Sequence, residues 1–197
     1  MKIKSLIFLI FIYLISFVKV YAIDPEIFVQ STVNRASKVL SDNTSKKEKV
    51  DELKKIAKDT VDIQGIGFYT LGKKVRKTLN EQQKQNYSEI FEQYFLKSFS
   101  SRLAEYTNPE INVLGKEILN KNYTIVNSIL KGTNERPEIK IDWRIYTKDP
   151  EKPLIRDLII EGLSLARTQK EEFSSVLQTN NNDINELFKT LKKFTEQ

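Results

Sequence analysis

The sequence predicts an α+β fold: an antiparallel, twisted sheet with N-terminal and C-terminal helices packed on it. Three observations predict it. Apolar residues keep helical spacing from Ile27 through to Tyr106, alternate strictly over residues 138–146, and return to helical spacing after Thr168. Helices, then strands, then helices within one chain of this size place an antiparallel sheet against helices on one face.

Before the first of these helices lies a segment that reads as a cleavable export leader. Lys2 and Lys4 are followed by thirteen residues, Leu6 to Val18, in which only Ser16 is strongly polar, and the segment closes on Val20-Tyr21-Ala22. Spanning a bilayer takes about 20 apolar residues at about 1.5 Å each, so thirteen fall short. The expectation is cleavage after Ala22, leaving one domain over residues 23–197 that works outside the cytoplasm.

Three lysines leave with the leader, so the formal charge of +6 falls to +3. That charge gives weak attraction to anionic lipid head groups and no concentrated basic stripe, which sets nucleic acid aside as a partner. A mature chain of roughly 175 residues buries about 70% of its unfolded surface, so the core alone can hold the fold. It has to, because an exported protein without cysteine has no disulfides. Histidine is absent too. Hydrolases built on a histidine base and zinc sites built on histidine or cysteine are therefore excluded.

The mature chain opens on Asp24-Pro25, an N-cap with proline at the first helical position, and Ile27, Phe28, Val33, Ala36, Val39 and Leu40 form an apolar stripe. A polar turn over Ser41 to Ser45 precedes a narrower stripe, Val50, Leu53, Ile56, Ala57 and Val61, whose charged opposite face is solvated. Gly65, Gly67 and Gly72 lack the spacing of a nucleotide-binding loop and read as helix breaks and points of close packing. Thr78-Leu79-Asn80-Glu81 reads as a capping box opening a long helix. The inner face of that helix is Tyr87, Ile90, Phe91, Tyr94, Phe95, Phe99, Leu103 and Tyr106, and Asn108-Pro109 stops it.

The sheet segments follow. Ile139, Ile141, Trp143 and Ile145 alternate with Glu138, Lys140, Asp142 and Arg144, which is the pattern of a half-buried strand. Tyr123 to Leu130 is a less regular strand before it, and Leu154 to Leu165 a strand after it. The run Leu158-Ile159-Ile160 is apolar on both faces, which predicts a central position. A helix capped by Thr168 and Glu171, an asparagine turn over Asn180 to Asn182, and a last helix capped by Asp183 complete the chain. The last stripe is Ile184, Leu187, Phe188, Leu191 and Phe194.

Without histidine and cysteine, only carboxylate, lysine, tyrosine or serine chemistry remains. Asp142 and Asp157 on neighbouring strands have the residue types of a glycosidase pair. Arg144 and Arg156 share their alternation, and cross-strand ion pairing accounts for all four. Glu161, ahead of Gly162, reads as a turn residue. Taken alone, the aromatic stripe from Tyr87 to Tyr106 is what any sheet-packing helix shows.

The segments Ile141-Asp142-Trp143-Arg144-Ile145, Arg156-Asp157-Leu158-Ile159-Ile160-Glu161-Gly162-Leu163-Ser164-Leu165 and Thr168-Gln169-Lys170-Glu171-Glu172-Phe173 together resemble the MlaC family of periplasmic phospholipid-transport proteins, also called toluene-tolerance proteins. Leu71-Gly72-Lys73 with residues 79–95 is similar to that family's helical half, so the resemblance spans about residues 25 to 195. Two features depart from it: the proline- and charge-rich hairpin from Thr147 to Leu154, and asparagines in the final turn where relatives commonly have glycine.

The resemblance implies no catalysis and no cofactor. It implies a sheet and helices that enclose an apolar pocket, and a soluble carrier moving phospholipid across the periplasm. The partners it implies are an outer-membrane lipoprotein complex and an inner-membrane ABC-type lipid transporter with its substrate-binding subunit. Such a carrier has a physical rationale, because about 30 methylenes at about 0.8 kcal/mol each put a barrier of roughly 20 kcal/mol between a phospholipid and open water. On this reading the pocket walls are Phe68, Phe91, Tyr94, Phe95, Phe99, Ile141, Trp143, Ile145, Leu158, Ile160 and Leu163. Lys73, Lys74, Arg76 and Lys77 read as a solvated basic loop. The reading from another class is an exported adaptor with a solid core and no lipid. A third is an enzyme on a cystatin-like or NTF2-like scaffold, which the missing histidine and cysteine disfavour.

Overall fold

The computed structural model describes residues 22–134 and 136–196, and the leader residues 1–21 lie outside them. Asp24 accepts a hydrogen bond from Glu26 N and starts α1, Pro25–Ser41, as its cap-and-proline pair dictates. Helix α2, Lys46–Thr60, opens on a reciprocal capping box between Ser45 and Glu48. Helix α3, Ile63–Leu71, is capped by Asp62, and a short α4 covers Lys73–Thr78. Gly65 and Gly67 therefore lie inside a helix and do not break it. Gly72, at φ +84°, is the break between α3 and α4.

The long helix α5 is Glu81–Leu103, and its cap is Asn80 paired with Gln83, two residues later than the predicted box. Thr78 instead turns back on Val75 O and ends α4. Tyr106 falls beyond the end of α5.

Five antiparallel strands follow in the spatial order β1-β2-β3-β4-β5: β1 Ile111–Asn120, β2 Tyr123–Leu130, β3 Ile139–Tyr146, β4 Leu154–Ile160 and β5 Leu163–Ser164. Strand β1 went unpredicted; it is the edge strand of a hairpin that turns at Lys121-Asn122. The predicted strand from Leu154 to Leu165 is two strands and a helix start. Glu161 and Gly162 both take positive φ, +49° and +81°, the signature of the tight turn that matches strand twist. They fold Leu163 back onto Ile160, and the Glu161 carboxylate takes the Lys140 N–H at 2.5 Å. So β4 is not central; it lies one short strand from the edge, and its far flank is completed by a parallel bridge from Val61 to Ile155. Between β3 and β4, Arg144 pairs with Asp157 and Ile145 with Ile155, which leaves Arg156 as a bulge.

Helix α6, Leu165–Thr179, is capped by Ser164 rather than Thr168, and α7 covers Ile184–Glu196 with Asp183 accepting from Asn185 N. α3 packs on α5 and α6, α5 on α2 and α7, and α1 on β1 and β2. Their buried stripes meet the sheet face of Val126, Ile141, Trp143 and Ile145 in one hydrophobic cluster. The predicted α+β class, with an antiparallel sheet and helices from both ends of the chain, is what the structure shows.

Candidate functional site

Burial along the inner face of β3 is graded. Ile145 is fully buried, Trp143 and Ile141 retain 8% and 9% exposure, and Ile139 at the strand's start is half-buried. Antiparallel register places Leu130 opposite Ile139 and Ile111 opposite Leu130, with Val113 opposite Ser128. These four half-buried aliphatic residues form a strip across β1, β2 and β3. They pack against the same cluster as Phe95 and Phe99 of α5, which are also half-buried and stack with centroids 5.6 Å apart at 10°. At the strip the fold leaves apolar surface partly uncovered, whereas near Ile145 it closes.

The eleven predicted wall residues separate into three groups. Phe91, Ile141, Trp143 and Ile145 are buried members of the cluster, and Phe68, Tyr94, Phe95, Phe99 and Leu158 are its half-buried rim. Ile160 is half-buried on the sheet face of Ile141 by register, and Leu163, beyond the tight turn, is 59% exposed. Within the rim, Tyr94 is engaged by the two C-terminal helices. Its hydroxyl donates to Gln169 Oε1 at 2.8 Å and its ring lies 5.0 Å from Phe194, between α6 and α7. Burial raises its phenol above the ordinary tyrosine value. Phe68 sits 6.3 Å from Tyr87, under the Arg76 guanidinium. Ile111, Val113, Leu130 and Ile139 were not predicted as site residues; the signal available for the first two was their spacing of two, in a segment not recognised as a strand.

Polar groups on this face are used up internally. Trp143 Nε1 donates to Ser128 Oγ at 2.8 Å, and that hydroxyl donates to Ile141 O at 3.0 Å. Tyr87 donates to Gly67 O at 2.9 Å, and burial raises its phenol far above the ordinary value. Among the described residues no buried side-chain polar atom lacks a partner, and no cluster of acids is placed to hold a metal. Asp142 and Asp157 are not opposed across the sheet. Asp142 pairs with Ile159 and takes a hydrogen bond from Asn127, while Asp157 is buried against Arg144 and Ser164. Arg156 binds Asp62, not a strand neighbour.

Fold and site together define an α+β protein organised around an apolar face, its five-stranded sheet and long aromatic helix joined through one cluster with a half-uncovered strip. The MlaC protein family model matches residues 30–193, and the chain belongs to that family. Its fold is similar to that of a solved phospholipid-binding protein from Ralstonia solanacearum, determined in complex with a phospholipid. The TM-score is 0.73 at 17% identity, over 89% of this chain and 98% of that one. No curated protein matches the chain.

Proposed function

We propose that this protein is a periplasmic phospholipid carrier that takes lipid between an outer-membrane lipoprotein complex and the substrate-binding subunit of an inner-membrane ABC-type transporter. The observation that carries the reading is the half-buried strip of Ile111, Val113, Leu130 and Ile139, which packs against the same hydrophobic cluster as the Phe95–Phe99 stack. Family membership and the phospholipid-bound neighbour support it. Acyl chains laid on the strip leave water for an apolar surface, gaining about 25 cal/mol per Å² buried, while the head group stays at the mouth. Moving tails from one apolar phase to another changes free energy little, so loading and unloading need no chemistry. No catalytic step belongs to this function, and lipid is cargo rather than cofactor.

The test is native mass spectrometry of residues 23–197, followed by solvent extraction. A bound species of phospholipid mass is expected, and a folded Phe95→Asp variant, which sets a charge in the acyl site, should lose it. Protein that stays lipid-free after incubation with phospholipid vesicles would replace the carrier with an exported adaptor.

A further inference from the structure

A groove of about 380 Å³ opens on the other face of the sheet, sharing no residue with the apolar strip. Arg144, Arg156, Asp157 and Tyr123 line it from the sheet together with Leu119, and Ile66, Tyr69 and Ala166 line it from α3 and α6. Its size is within the ~300–1,000 Å³ of small-molecule sites.

Most of its polar groups are committed. Asp157 is 4% exposed and takes hydrogen bonds from Ser164 Oγ at 2.6 Å and Ala166 N at 3.0 Å. Arg156 gives Nε and one terminal nitrogen to Asp62 and the other to the Tyr123 oxygen, and its plane lies 3.8 Å from the Tyr146 ring centre. Arg144 differs. Among the described residues its one side-chain hydrogen-bonding partner is Asp157, at a long 3.4 Å, and its side chain is 39% exposed. A guanidinium carries five N–H donors, so most of this groove-lining group's capacity is not taken up by Asp157. The Tyr123 oxygen accepts from Arg156, which leaves its own proton to donate. Asp62 neutralises Arg156, whereas Arg144 meets Asp157 only at a long 3.4 Å, so the under-compensated positive charge of the lining is on Arg144. Tyr69 and Leu119 add half-exposed apolar surface, each 46% exposed, with the Lys170 ammonium 5.1 Å from the Tyr69 ring centre.

We propose that this groove binds a carboxylate carried on a short apolar body. The carboxylate lies against Arg144 and the Tyr123 hydroxyl, and the apolar part sits between Tyr69 and Leu119. One loosely paired guanidinium and one hydroxyl suit a planar monoanion, which Arg meets with two parallel hydrogen bonds, better than a doubly charged phosphate. Free fatty acids and the C-terminal residue of a polypeptide share this chemistry. The site stands whether or not the other face carries lipid.

The experiment is amide NMR of ¹⁵N-labelled protein titrated with octanoate, N-acetylphenylalanine and the uncharged N-acetylphenylalaninamide. Acid-induced shifts are expected at Leu119, Asn120, Tyr123 and Arg144, with the amide at least about tenfold weaker. Arg144→Gln should weaken the acids by a similar factor, and Tyr69→Ala should weaken them with the charge preference intact. Preference for N-acetylphenylalanine assigns the site to chain termini, and preference for octanoate to fatty acids. Equal binding of acid and amide to the unmutated protein overturns the proposal without any variant. Acid-induced shifts confined to the apolar strip, or none at all, overturn it as well.

Discussion

Asp157 holds the start of α6 to the sheet, and its removal gives a sharp stability test. In Asp157→Ala the buried Ala166 N–H loses its acceptor at 3.0 Å, and Ser164 loses the carboxylate at 2.6 Å that orients its hydroxyl for capping Arg167 N. An orphaned buried donor costs about 1–3 kcal/mol and a hydrogen bond to a charged group contributes about 1.5–3 kcal/mol. The Arg144 contact is long and partly exposed, so it adds little. The sum is about 4 kcal/mol, which for a domain of this size lowers Tm by roughly 8–16 °C. Asp157→Asn keeps one acceptor for Ala166 N and should lose only about 1 kcal/mol. Urea unfolding followed by circular dichroism measures both variants, and amide exchange at Ala166 and Arg167 should rise in the alanine variant. A loss under about 1 kcal/mol in Asp157→Ala, or equal losses in the two variants, would refute an acceptor role.

Two further outcomes follow from packing and titration. A Cβ on Gly67 would sit 2.7 Å from the buried Phe91 ring, so Gly67→Ala should destabilise by about 1–3 kcal/mol in urea unfolding, whereas Gly115→Ala, with open space around it, should fall within about 0.5 kcal/mol. Tyr87 keeps its proton in the fold at pH values where the unfolded chain ionises, because burial raises its phenol. Stability should therefore fall as pH rises above about 10, and less steeply in Tyr87→Phe; parallel pH profiles would contradict this.

Five of the helices were legible because they carry their own periodicity and a cap in sequence, as Asp24-Pro25 and Asp183 show, whereas the glycine-containing Ile63–Leu71 and the basic Lys73–Thr78 did not read as helices. Caps were misplaced where two polar candidates lie within a few residues. Asn80 outcompetes Thr78 and Ser164 outcompetes Thr168, and the choice depends on what the carboxamide or hydroxyl meets in three dimensions. β1 was hidden because its second half, Lys116 to Asn120, faces solvent and loses the alternation that burial imposes. The block Asp157 to Ser164, quoted for the family resemblance, is explained by local architecture: a helix tether, a tight turn and a cap. The candidate wall residues were legible as a composition only. Periodicity put Phe91 and Phe95 on one stripe, yet whether a ring fills the interior or borders a cleft is decided by what stands opposite, and that is set by register across three strands.

The extra residue at Arg156 fixes where this chain can change length. With Ile155 and Leu158 both directed to the apolar face and Arg156-Asp157 to the other, the strand keeps two phases that an unbroken alternation cannot hold together. Loss of one residue there would turn either Ile155 or Leu158 outward and bring a charged group inward. The neighbouring connection between β3 and β4 lies outside the strand register, exposed over Lys148 to Lys152 and held by Pro150 O to Ile23 N, and can change length more readily, as surface loops do. Relatives of this protein should therefore differ in length around residues 147–153 and agree in length from 155 to 164.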